Sequence, residues 1–162
     1  PLLHNRPEKI AGEVDSLLTE IKDKHSKCAV AYADCGTYGA LDTVIATHGV
    51  KRLGGNHCYD IFAGSKKIEE IMESDAGTYF LTDFLVKSFH RSVMVELGLD
   101  KRPELRDDYF KNYSRVIWLA QQPSKELEEL ASQAAASIGL PLEIQNVGYG
   151  QLAQQVKELL SN

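Results

Sequence analysis

Two rhythms of apolar residues alternate along this chain. Ile10, Val14, Leu17, Leu18 and Ile21 fall at i, i+4, i+7, i+8 and i+11, a single stripe of an amphipathic helix. Pro7 suits the first turn, where a missing N–H costs little, and Lys22, Lys24 and His25 suit the negative end of the helix dipole. Residues 28–33 form a short apolar run that predicts a buried strand, ended by the glycine-bearing turn Asp34-Cys35-Gly36-Thr37-Tyr38-Gly39. A helix over residues 40–48 follows, then a short strand over 50–53 closed by Gly54-Gly55. After Asn56-His57-Cys58-Tyr59-Asp60, Ser65 is placed to cap a charged helix with Ile68, Ile71 and Met72 on its inner face.

The alternation continues in the second half. Residues 78–82 are strand formers, and 84–97 read as a helix with Leu85, Phe89 and Val93 inside. Gly98 ends it and Pro103 prevents its continuation. A short helix over 104–113 leads to the clearest strand, 115–120. Ser124 caps an alanine-rich helix through residue 138, stopped by Gly139. A last strand covers 142–147, and the final helix places Leu152, Val156, Leu159 and Leu160 on one face. Buried strands alternating with helices pair in parallel. The expected fold class is therefore α/β: a three-layer sandwich, Rossmann-like, with a mainly parallel sheet and helices on both faces. It is expected as one domain over residues 1–162.

Composition narrows this picture. A hydrophobic share of 43% and a charged share of 25% are globular averages. No apolar run approaches the ~20 residues of a membrane span. A formal charge of −5 argues against a sequence-independent nucleic-acid binder. Three cysteines, an odd number, do not make a secreted disulfide framework, which points to a reduced, cytoplasmic setting. The chain opens Pro-Leu-Leu-His-Asn without a methionine or a signal-like segment, and reads as lacking an N-terminal strand. An edge left open in that way favours homo-oligomers.

In open parallel sheets, ligands bind beyond the carboxyl ends of the strands. Cys35 lies just past one strand, and His57, Cys58 and Asp60 lie just past the next. If those strands are neighbours, the two loops share a site. Thiolates and an imidazole suit zinc or another transition metal, although no Cys-x-x-Cys or His-x-x-x-His spacing is present. The same thiols suit a reactive cysteine, Cys58 before a helix and Cys35 before another. Both also suit plain buried packing. Gly36 and Gly39 permit a turn whose N–H groups face an anion, without the lysine of a P-loop. Tyr149, after the last strand, is placed at the same edge. Cys28 starts its strand at the opposite edge and reads as packing.

The order of these pieces resembles a known family, the uncharacterised domain-of-unknown-function family 1638. The segments that carry the resemblance are LHNRP at 3–7, YADCGTYG at 32–39, NHCYDIFAG at 56–64, GTYFLT at 77–82, GLDKRPELRDDYF at 98–110 and WLAQ at 118–121. It implies a further cysteine upstream of this chain, and an association with corrinoid-dependent methyl transfer from methylated amines. With that cysteine, a metal site on Cys35, Cys58 and His57 becomes the leading expectation. The alternative is a non-catalytic module holding a small ligand or cofactor at the same crevice, near Gly36, Gly39, Asp60 and Tyr149. A thiol-redox centre, with a Cys35–Cys58 disulfide, is the third. The expected partners are a small molecule or a corrinoid-system protein.

Overall fold

The first helical stripe winds as the spacing requires. α1 (Ile10–Ile21) follows two short 3-10 turns, Leu2–Asn5 and Pro7–Lys9, with the proline opening the second. Ile10 and Leu18 are buried, whereas Leu17 stays 57% exposed. Consecutive helical residues point about 100° apart, so a stripe centred toward Leu18 leaves Leu17 on its rim. The computed structural model describes residues 2–161, except the side chains of Leu2 and His4. Pro1 and Asn162, the ends of the expected domain, lie outside the described residues, as does the His4 side chain of the LHNRP segment.

The described chain forms two compact units, residues up to Ser65 with those from Tyr149, and residues 66–148. In the first unit, β1 (Ala29–Val30), α2 (Ala40–Thr47), β2 (Lys51–Arg52) and α3 (Cys58–Ala63) follow α1. β1 and β2 pair in parallel, Ala29 opposite Lys51 and Val30 opposite Arg52. Both strands are shorter than expected. Beyond Val30 the Tyr32 N–H turns back to the Val30 carbonyl (2.9 Å), which interrupts the ladder.

α4 (Ser65–Ser74) leads into the second unit, and Ser65 is its first helical residue rather than the cap. β3 (Thr78–Thr82) runs into α5 (Asp83–Phe89), where the Thr82 hydroxyl accepts the Leu85 N–H. The expected single helix widens into a π-helical stretch at His90–Val95. Ser88 and Ser92 each donate a hydroxyl four residues back, to the Phe84 and Ser88 carbonyls, a pattern that bends helices. α6 (Arg106–Phe110), β4 (Arg115–Ala120), α7 (Lys125–Ser137) and β5 (Leu142–Asn146) follow. Gly139 ends α7 at φ +76°, a left-handed turn that a side chain would strain.

The second sheet has the order β3-β4-β5, all parallel. Its middle strand is closed to solvent on both faces, with Val116, Ile117, Trp118, Leu119 and Ala120 at 0% exposure. Trp118, Val116 and Ala120 join Phe89, Val93, Leu127 and Ala131 in the core under α5 and α7. The chain then returns to the first unit as α8 (Leu152–Ser161). Leu152, Val156 and Leu159 pack against Ala33, Leu53 and Ile61. The fold is thus α/β with parallel strands and packed helices, as the alternation requires, and its strands divide between two sheets. Among the described residues, no helix is long and apolar enough to cross a membrane.

Candidate functional site

The two loops that follow β1 and β2 stay side by side. Beyond the short ladder, the Asp34 N–H donates to the Gly55 carbonyl (3.3 Å) and the Cys35 N–H to the Asn56 carbonyl (2.7 Å). These bonds place Cys35 next to the 56–58 segment. Cys35 itself is left-handed at φ +44°, a conformation that L side chains rarely adopt. Tyr38, in the same turn, is left-handed at φ +50°.

The Asp34 carboxylate holds that turn. It accepts the Thr37 hydroxyl (2.5 Å), the Tyr38 N–H (3.0 Å) and the Gly39 N–H (3.1 Å). These bonds, that of Thr37 first, keep Asp34 below the usual carboxylate pKa. The N–H groups that the glycine turn offers an anion are therefore taken by an anion of the chain itself. Asp60 acts in the same way on the other loop. Its buried carboxylate accepts the Asn56 N–H (2.8 Å) and the His57 N–H (3.1 Å), fixing the entry to α3.

Held so, the two sulfurs meet. The Cys58 thiol donates a hydrogen bond to the Cys35 sulfur, and the Cys58 backbone N–H and the Tyr32 hydroxyl donate to it as well. The Cys58 thiol contributes most, and the set lowers the Cys35 pKa to about 7 against the opposing effects of burial and of Asp34. Cys58 moves the other way. Its thiol is the donor to Cys35, and burial adds to that, so its pKa is raised well above the ordinary thiol value. Tyr32 is pushed up to about 12, first by burial and then by the charge of the neighbouring cysteines, Cys35 first. The helix-start N–H groups of Cys58 and Tyr59 pull the Cys58 pKa down, but its donor role and burial outweigh them, and Cys35 is the more acidic of the two.

Arg52 sits behind the turn. Its guanidinium forks onto Asp42 (2.7 and 2.9 Å) and also donates to the Leu53 and Gly55 carbonyls. Asp42 first, with Asp34 and Cys35 further out, raises its pKa.

A small cavity of about 160 Å³ opens on the pair, lined by Cys35, Gly36, His57, Cys58 and Tyr59. The His57 ring stacks on Tyr59, centroids 6.1 Å apart and 15° from coplanar. Gly36 is on the lining, while Gly39 and Asp60 serve the loop backbone. Tyr149 is not part of the lining and is 48% exposed. Its neighbour Gly150 lies against α3, where a Cβ would run into the Phe62 carbonyl oxygen. Cys28 packs against the separate Leu18, Leu41 and Ile45 cluster. All three cysteines are free thiols. Among the described residues, no three or more His, Cys, Asp or Glu side chains are grouped to hold a metal ion.

A family model described as a protein of unknown function (DUF1638) matches residues 1–156. The chain belongs to that family. No curated protein and no solved structure matches it. The DUF1638 match spans both cysteine loops, in agreement with the segments that carry the resemblance. Tyr32 and Arg52 are the two members of the site that sequence reasoning misses. Tyr32 stands three residues before Cys35, an odd spacing that puts two strand residues on opposite faces. The chain leaves strand geometry after Val30, where the Tyr32 N–H turns back, and Cys35 is left-handed, so that alternation does not hold and no periodicity signals the contact.

Proposed function

We propose that this DUF1638 protein is a thiol–disulfide exchange protein acting through Cys35 and Cys58. One observation carries the reading: a hydrogen-bonded pair of free cysteines of opposite acidity, beside a cavity. A pKa of about 7 leaves Cys35 substantially thiolate near neutrality, and the thiolate is the nucleophile. It attacks one sulfur of a small-molecule disulfide, RS–SR. A Cys35–SR bond forms, the S–S bond of the substrate breaks, and RS⁻ leaves and takes up a proton. Cys58 then gives its proton to solvent and attacks the Cys35 sulfur, releasing the second RS⁻. The protein ends as the Cys35–Cys58 disulfide, oxidised by two electrons, and the substrate as two thiols. Tyr32 and the Cys58 N–H stabilise the Cys35 thiolate before attack. The cavity beside the pair, about 160 Å³, offers room for the end of a small thiol.

The test is oxidation of the reduced protein with a small disulfide such as oxidised glutathione, followed by peptide mapping. The expected product is a Cys35–Cys58 cross-link, with a Cys35 mixed disulfide trapped in Cys58→Ser. Exclusive modification of Cys28, or no cross-link, overturns the reading.

The metal reading is supported by a different fact. Cys35, Cys58 and His57 line one cavity, and thiolates with imidazole suit zinc. Among the described residues these three side chains are not grouped to hold an ion, so the reading needs His57 to turn toward the thiols and a further ligand to join them. In that reading the ion holds a thiol as thiolate near neutral pH, ready for methyl transfer, which would fit a corrinoid-linked accessory role. Elemental analysis of reduced, chelator-free protein separates the two: stoichiometric metal lost in Cys35→Ser favours the ion.

A further inference from the structure

The opposite edge of the β1-β2 pair carries a second, larger cavity of about 300 Å³. Lys27 lies before β1 and Lys51 begins β2, while Lys22 follows α1 and His25 comes three residues later. All four line the cavity, as does His48, and no Asp or Glu does, in a chain whose net charge is −5. Lys27 donates to the Leu160 carbonyl (3.0 Å), and His48 is engaged by Asp15 (2.6 Å). Among the described residues, Lys22 and Lys51 have no ion-pair partner, whereas Lys24 is paired with Glu20.

Balancing helix ends is one use for such charges. Lys22 and His48 follow the last residues of α1 and α2, and Leu159 lies in the last turn of α8. Three helix C-termini bring about −1.5 of partial charge. That offsets about half of three ammonium groups, and the remainder is positive. No arginine lines the cavity, so the planar fork that suits a carboxylate is absent. Ammonium groups act as point charges, which suit a tetrahedral, multiply charged anion. A volume near ~300 Å³ is that of a small-molecule site.

We infer that this cavity binds a small phosphorylated molecule through Lys22, Lys27 and Lys51. The site is separate from the cysteine pair, and it stands or falls independently of the thiol reading. The probe is inorganic pyrophosphate, titrated into the reduced full chain at fixed ionic strength and followed by amide NMR. Saturable shifts are expected at residues 22–28 and 48–51. Lys22→Gln combined with Lys51→Gln weakens binding by about tenfold or more, while Cys35→Ser leaves it unchanged. Both lysines are exposed, so circular dichroism is expected to be unaltered. Should the double variant fail to fold, the map of shifts on the native chain decides alone. A response that does not saturate or lies elsewhere overturns the inference. Equal affinity in the folded double variant does so too, as does tighter binding of a tricarboxylate of matched charge.

Discussion

The Cys58 thiol donates its hydrogen bond to the Cys35 sulfur, and this one contact divides two chemically identical side chains into an acid and a donor. The stability of the reduced protein therefore depends on pH. Cys35 has a folded-state pKa of about 7, below the ~8.5 of an unfolded thiol. Its contribution is absent below about pH 7, grows as the pH rises, and is complete above ~8.5. Cys58 is shifted upward, so above ~8.5 it favours unfolding. Thermal melts under reducing conditions are expected to show the native chain gaining on Cys35→Ala between about pH 7 and 8.5. A flat difference over that interval contradicts this.

Tyr38 predicts a gain in stability. It is 94% exposed and left-handed at φ +50°, so its side chain adds little packing to offset the strain. Tyr38→Gly is expected to stabilise the first unit by about 0.5–1 kcal/mol in urea unfolding. Destabilisation of that size would assign the side chain a contact role.

Gly150 predicts the opposite. A Cβ there would run into the Phe62 carbonyl oxygen, at φ +50°. Gly150→Ala is expected to cost more than about 2 kcal/mol, through strain and displacement of α8 from Ile61. Unchanged unfolding would contradict the close approach.

Trp118 tests the second unit. It is fully buried, and its indole N–H donates to Asp83 (2.9 Å), whose carboxylate also accepts the Gln121 and Gln122 N–H groups. Trp118→Phe opens space in the core and removes one of the three donors to the Asp83 carboxylate, for an expected loss of about 2–4 kcal/mol. Circular dichroism is the readout, because this is the single tryptophan of the chain.

Legibility in the sequence follows how local each determinant is. β3 and β4 match their expected bounds, because runs such as Arg115–Ala120 are dense in residues that only a buried strand accommodates. β1 and β2 shrink to two residues each, because Tyr32 and Asp34 take backbone partners outside the ladder. The nearness of Cys35 to Cys58 follows from strand-end positions and parallel pairing, both readable in advance. Their unequal acidity does not, since it depends on which sulfur donates. Tyr32 enters because the chain departs from strand geometry between Val30 and Cys35. The two-sheet division was hidden as well, because the residues of a strand do not say which sheet it joins.

The most direct measurement is the pH dependence of alkylation at each cysteine, resolved by peptide mass spectrometry. Cys35 is expected to titrate with a midpoint of about 7 in the native chain. In Cys58→Ala, the midpoint should move up toward ~8.5 as the thiol donor is lost. A native midpoint already near ~8.5, or one that Cys58→Ala leaves in place, contradicts the proposed thiolate pair.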